Sequence, residues 1–256
     1  MTGRLGAAAD LRFNQTVREF VAFVSELGLD HVEFKREYLQ APPEAPPPAE
    51  IATILEAADM SCTLHAPFRD CNVGSFNDNA RAAAETMVID TLNDAATMGA
   101  EAVVIHGGSV PKRYPDRVRK KAHRNAIRSL KACAAHAATV DVPLCLENQP
   151  WSATDERHTT SPAALANTLT QIGADSETLR VTLDIGHARV SNHDWQAFVD
   201  RLGGRIEVLH LHDNDGEADT HDPLAAYKPI YEAVDPSYAV FEMQSLTDIH
   251  ACVDGR

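Results

Sequence analysis

The stretch VTLDIGHARV, residues 181–190, decides the reading of this chain. An apolar run stops at Asp184, and His187 follows three residues later. Both side chains bind cations well. One such break is an accident of a strand end; a repeated one is architecture. The break repeats. Short apolar runs recur at RLGAAA (4–9), HVEFK (31–35), SCTLHA (61–66), AVVIHG (102–107), PLCLEN (143–148), RVTLDI (180–185), EVLHLHD (207–213) and YAVFEM (238–243). Eight runs of this kind, each followed by a longer segment, suggest strands alternating with helices.

The intervening segments carry the helical period. Over 14–27, Val17, Phe20, Val21, Val24 and Leu27 share one stripe. The segments 80–98, 116–139, 161–172, 194–202 and 223–234 are also expected to be helical. Gly99 suits a C-cap, and Ser161-Pro162 an N-cap and first turn. Alternating buried strands and helices imply a parallel sheet with helical crossovers. Eight repeats in 256 residues match an α/β fold of the parallel eight-stranded (β/α)8 TIM-barrel type, one domain over residues 1–256. A doubly wound open sheet is the rival, but no Gly-rich phosphate fingerprint follows the first run. APPEAPPPAE (41–50) is too proline-rich for a helix or central strand and is expected to be a surface loop.

Composition narrows the function. Asp and Glu outnumber Lys and Arg 37 to 23, for a net charge of −14, which disfavours a nonspecific nucleic-acid partner. The same balance suits a high-salt cytoplasm. No run approaches the roughly 18 apolar residues of a membrane span. The N-terminus lacks a signal-peptide architecture, so a cytoplasmic location is expected. The five cysteines include no CxxC pair and are expected to be reduced.

The chemistry lies where the runs stop. SCTL ends in His65, AVVI in His106, PLCL in Glu147, VTL in Asp184, EVL in His210 with His212 just beyond, and AVF in Glu242; the second run carries Glu33. In a barrel these C-terminal ends converge on one mouth. Converging imidazoles and carboxylates suit a divalent ion, with zinc, manganese and cobalt favoured over magnesium. His187 with Asp219 and His221, the last two on DNDGEADTHDPL (213–224), form a second group that holds either a further ion or substrate hydroxyls. Glu33 is placed to bind a hydroxyl or orient a ligand, and His212 to touch substrate. His31, His123, His136, His158, His193 and His250 are assigned no role. PKRYPDRVRKKAHRNAIR (111–128) concentrates eight of the 23 basic residues. It reads as an anion-capturing element, aided by backbone N–H groups of HGGS (106–109), or as the solvated face of a helix.

The ordered motifs LHAP, VIHGGS, LENQ, LDIGH, HLHDND and FEMQ resemble the xylose-isomerase-like TIM-barrel superfamily from about residue 4 to 245. That group contains sugar and sugar-phosphate isomerases and epimerases, and the type-IV apurinic endonucleases. By resemblance to the epimerases, Glu147, Asp184, His210 and Glu242 hold one metal and His187 touches substrate. By resemblance to the endonucleases, His65, His106, Glu147, Asp184, His187, His210, Asp219, His221 and Glu242 hold three zincs. The motifs ENQPWS, DIGH and HLHDND depart from the endonuclease pattern. The epimerases' arginine shortly after the seventh-strand histidine has no counterpart between His210 and His221.

The leading expectation is a divalent-metal-dependent isomerase or epimerase of carbohydrate metabolism, acting on a sugar or sugar phosphate through a metal-stabilised enediolate. Glu147 and Glu242 would be both ligands and proton-transfer bases, with one to three ions (Zn, Mn, Co or Mg) per chain. The alternatives are a zinc phosphoesterase of the endonuclease type and a metal- and ligand-binding barrel without turnover. Many relatives pair, and a homo-oligomer is left open.

Overall fold

The computed structural model describes residues 3–41 and 45–254. Eight parallel strands close into a barrel in chain order: β1 (Arg4–Ala9), β2 (His31–Lys35), β3 (Ser61–His65), β4 (Val103–His106), β5 (Leu144–Glu147), β6 (Leu179–Asp184), β7 (Ile206–Leu211) and β8 (Tyr238–Phe241), with β8 pairing back to β1. This is the (β/α)8 TIM barrel expected from the eight runs.

Period-two alternation divides each strand between two environments. Val32 and Phe34, Cys62 and Leu64, Val103 and Ile105, Leu144 and Leu146, Val181 and Leu183, and Leu209 and Leu211 pack outward in the main apolar core, under the helices. The intervening residues point into the barrel. At its lower level they include Val104, Cys145 and Val208, a small separate apolar cluster. Above these the interior turns polar, with Glu33, Thr63, His65, Glu147, Thr182, Asp184 and His210 all buried. The cross-strand pairs Lys35↔His65, His106↔Glu147 and Asp184↔His210 put the chemistry at one level of the mouth.

The outer helices follow the apolar stripes. Val17–Glu26 buries Val17, Phe20, Val21 and Val24 and starts on a capping box in which Thr16 and Glu19 satisfy each other's backbone N–H. Asp78–Met98 ends at Gly99 with φ 70°, a left-handed cap that glycine adopts without a Cβ penalty. Asp116–Val140, Pro162–Ile172 and Trp195–Leu202 follow as expected.

The structure differs from the expected order in four places. The proline-rich stretch is not all loop: a helix runs from Pro48 to Ala57. Proline is accepted in a first turn, where its missing N–H has no partner to lose. Residues 42–44 of that stretch lie outside the described residues. The helix expected over 223–234 begins only at Lys228, ahead of Pro229. Short helices Arg36–Gln40 and Ile185–Val190 directly follow β2 and β6. Finally, Ser109–Pro111 and Asp155–Arg157 pair as an antiparallel ribbon formed by the segments that follow β4 and β5. No helix among the described residues is long and apolar enough to cross a membrane.

Candidate metal centre and cleft

Asp184 ends β6 and caps the helix that follows. Its Oδ1 accepts the backbone N–H of His187 at 2.7 Å, which is N-cap geometry and explains the three-residue spacing. Gly186 sits between them because a Cβ there would meet the ring atoms of His212 at 2.0 to 2.7 Å. Asn148, just beyond β5, clamps the same turn: its amide donates to Asp184 O at 2.8 Å and its carbonyl accepts Asp184 N at 2.7 Å.

Four groups of donors result, each with its atoms within 4.8 Å of one another: His65, His106 and Glu147; Glu147, Asp184, His210 and Glu242; Asp184, His187 and His212; and His212, Asp219 and His221. Glu147 is the hinge of the first two. Its Oε2 lies 3.2 Å from His65 Nε2 and 2.8 Å from His106 Nε2, and its Oε1 lies 3.2 Å from His210 Nδ1. Glu242 Oε2 approaches the same His210 nitrogen at 3.4 Å. His187 Nε2 lies 3.2 Å from Asp219 Oδ2, and His221 Nε2 lies 3.6 Å from that oxygen.

The histidine orientations test whether a cation fits. His65, His187 and His221 each direct Nδ1 at a backbone carbonyl, of Ala66 (2.7 Å), Asn148 (2.9 Å) and Glu242 (2.8 Å). Only a donating Nδ1–H makes that contact, so in the neutral ring each Nε2 turns a lone pair toward carboxylates. Lone pairs facing carboxylates in a buried site are unfavourable unless a proton or a cation lies between them. The donor set therefore fits divalent ions, with imidazole and carboxylate together suiting zinc, manganese or cobalt. His221 holds its place with φ 54°, a left-handed conformation that costs a non-glycine residue about 1 kcal/mol. A pair of backbone hydrogen bonds between Asp213 and Asp222, both 2.8 Å, closes the loop that carries it.

Protons show the same balance of charges. Burial alone would raise the Glu147 carboxyl, but His106, His187 and His210 outweigh it and hold the group well below the usual carboxylate range. Burial is likewise overcome at His210 and His187, whose pKa values rise well above the ordinary imidazole value beside Glu33 and Asp184 respectively.

All eleven residues singled out in the sequence lie at or beneath the mouth, but not all face the cleft. His65, His106, Glu147, His187, Asp219, His221 and Glu242 line a cleft of about 260 Å³. Asp184 and His210 lie fully buried beneath it. Glu33 lies deeper still, bonded to His210 and to Thr63 Oγ1 at 2.9 Å. His212 directs Nε2 at Asp184 (3.0 Å), stacks on His221 with ring centroids 4.1 Å apart, and borders an outer groove. Neither Glu33 nor His212 is placed to meet a ligand in the cleft.

Other participants lie outside the set singled out in the sequence. Lys35 reaches Glu242 Oε1 at 2.7 Å and Asp10 Oδ2 at 3.2 Å, all three buried. Burial opposes its charge, but Glu242 and Asp10 raise its pKa above the usual lysine value. His31 is not idle: it bridges Ser61 Oγ (2.7 Å) and Thr63 Oγ1 (3.1 Å) inside the barrel. The alternation of HVEFK, read as inward His31, Glu33 and Lys35, was the available clue.

A closed eight-stranded barrel with a His- and carboxylate-lined mouth defines a class, and the comparisons agree with it. The family model described as xylose isomerase-like TIM barrel matches residues 21–235, and the chain belongs to that family. An uncharacterised protein of Methanocaldococcus jannaschii is 30% identical over 182 residues, covering 68% of this chain and 59% of that protein. The match thus spans less than two thirds of that relative's length. The "Probable endonuclease 4" of Mycobacterium marinum is 30% identical over 191 residues, 72% of this chain and 70% of that one. Among solved structures, a D-tagatose 3-epimerase-like protein superposes with a TM-score of 0.82 at 21% identity, covering 97% of this chain and 94% of that one. At that identity the likeness speaks for the fold.

Proposed function

We propose that this chain is a divalent-metal-dependent isomerase or epimerase of a sugar or sugar phosphate. One observation carries the reading: Glu147 and Glu242, from β5 and β8, both face a cleft of about 260 Å³, the size for one small molecule. A divalent cation bound among Glu147, Asp184, His210 and Glu242 supplies charge stabilisation for the oxyanion that develops when a proton leaves carbon. The chain's own groups do the rest. Lys35 keeps Glu242 ionised, and His106, His187 and His210 keep Glu147 ionised, so either carboxylate can take a proton. Phe68, stacked edge-on beside His65 at 5.1 Å, narrows the cleft against water.

The test is solvent-hydrogen exchange. Ketoses and their phosphates are incubated in deuterated water with the metal-loaded chain, and deuterium is sought at the carbon beside the carbonyl. Wild type exchanges it, and Glu147→Gln loses about 10²- to 10⁴-fold in rate with the fold retained. Undiminished exchange in that variant rejects the role of Glu147.

A second reading has its own support. His65 and His106 on one side, and His187, Asp219 and His221 on the other, extend the donor set beyond one ion. Such a set suits a zinc phosphoesterase, in which clustered ions generate hydroxide and clamp the leaving oxygen. Three zincs per chain together with cleavage of abasic-site DNA would establish it. The expected cytoplasmic location and the oligomeric state belong with these proposals.

A further inference from the structure

The basic run 111–128 does not serve the cleft. Half of its eight charges are engaged on the outer surface, where Arg119 pairs with Glu156, Lys120 with Asp116, and Lys121 and Arg128 with Asp78, and none of the eight lines the cleft. The N–H of Ser109 in HGGS is likewise taken, by Asn72 Oδ1 at 3.1 Å.

Arg157 lies at the end of the ribbon strand Asp155–Arg157 and lines the cleft together with His187 and Asp219. It is half-buried. Its Nη1 donates to Pro150 O at 3.1 Å; among the described residues no carboxylate is in ion-pair contact with it, and Asp219, Asp155 and Glu147 act on it only from a greater distance. Every other cation with that degree of burial near the mouth is matched: Lys35 has Asp10 and Glu242. Even the exposed Arg12 on the rim is held by Asp10, at 2.7 Å. A partly desolvated guanidinium with no carboxylate in contact keeps N–H donors free for an incoming anion, in a chain where acidic groups outnumber basic ones. Its planar fork presents parallel N–H donors that match a phosphate or carboxylate. Arg69, exposed on the same cleft, adds positive charge to the rim. The floor, in contrast, carries Glu147, Asp219 and Glu242, which would repel an anion were no cation placed beside them.

We propose that Arg157 binds an oxyanion carried by the sugar, a phosphate monoester or a carboxylate, so that the preferred substrate is a charged sugar rather than a neutral one. This rests on the isomerase reading above and narrows its substrate class.

The test reads binding without turnover. The metal-loaded full chain is titrated calorimetrically with a ketohexose, the corresponding ketohexose 6-phosphate and a hexuronate. Wild type should bind one charged sugar at least about 10-fold more tightly than the neutral one, the scale of a charge-assisted pair. Which of the two charged sugars gains identifies the oxyanion. Arg157→Gln should lower that preference about 10-fold, and Arg157→Lys, which keeps the charge but not the fork, should lower it less. Equal affinity of wild type for neutral and charged sugars overturns the assignment, whether or not the variants fold. So does an Arg157→Gln variant that weakens all three ligands alike. A charged sugar that binds through Arg157 but never exchanges its carbon-bound hydrogen would refute the isomerase reading and leave this assignment standing.

Discussion

Glu33 Oε1 lies 3.1 Å from His210 Nε2 in the barrel interior, where neither side chain reaches solvent. The contact makes Nε2 the protonated nitrogen and turns Nδ1 toward Glu147, Asp184 and Glu242. A carboxylate behind a ligating imidazole fixes its tautomer and raises its basicity. Glu33→Gln is therefore expected to lower divalent-cation affinity about 10- to 100-fold with the barrel intact. Competition with a coloured chelator measures it, and circular dichroism checks the fold. Thr63→Val, which removes the hydrogen bond to Glu33, should act in the same direction. Unaltered affinity in both variants would separate Glu33 from the metal centre.

Lys35 stands between Asp10 and Glu242 with all three groups buried. Lys35→Met leaves two carboxylates without their cation. Removing one partner of a buried ion pair costs about 3–5 kcal/mol. Urea denaturation of the metal-free protein should show a loss of that size. A loss below about 1 kcal/mol would mean that water or another group already compensates these acids.

Chelation should destabilise the protein. With cation bound only by the folded chain, stability rises by about 4 kcal/mol when free cation exceeds its dissociation constant a thousandfold. For a chain of this size that is about 2–4 °C in Tm per kcal/mol. Thermal scans before and after treatment with a chelator, and again after adding zinc or manganese, test this. A melting temperature indifferent to both steps contradicts a metal centre.

His158 gives a pH dependence of known sign. Burial pushes its pKa down to about 4, with the neighbouring His123 adding to the effect. The unfolded chain titrates near 6.5, so between about pH 6.5 and 4 the unfolded state binds a proton that the folded state does not. Stability from this residue is intact above pH 6.5 and falls as pH drops, by about 1.4 kcal/mol per unit. Comparing urea unfolding of wild type and His158→Gln isolates it, because contributions of the metal-site groups cancel in the difference. Wild type should lose ground to the variant between pH 6 and 5, and parallel curves would exclude a neutral buried His158.

Most of the fold was legible in the residue order. Eight apolar runs spaced by helical segments leave few arrangements, because a parallel strand needs a crossover and a crossover needs a helix. Helix starts and short turns were harder. The residue order marks Asp184 as a strand end, and its second function as the cap of Ile185–Val190 depends on a hydrogen bond to His187 N that spacing alone only hints at. The proline-rich stretch concealed a helix beginning at Pro48, because composition does not reveal which proline falls in a first turn.

The sequence by itself determined the fold type and the supply of donors at the strand ends, since period-two alternation and strand order are local properties. Only the tertiary structure decided which donors meet. Glu147 faces both His65 and His210, although 82 and 63 residues separate them along the chain. Barrel closure sets that, through the stagger of eight strands. Closure also sinks Glu33 beneath the cleft, turns His212 to an outer groove, couples Lys35 to Glu242, and leaves Arg157 half-buried with no carboxylate in ion-pair contact among the described residues. Charge counting along the chain points to the basic run at 111–128; helix Asp116–Val140 carries most of that run away from the cleft, where nearby acids pair with Arg119, Lys120, Lys121 and Arg128.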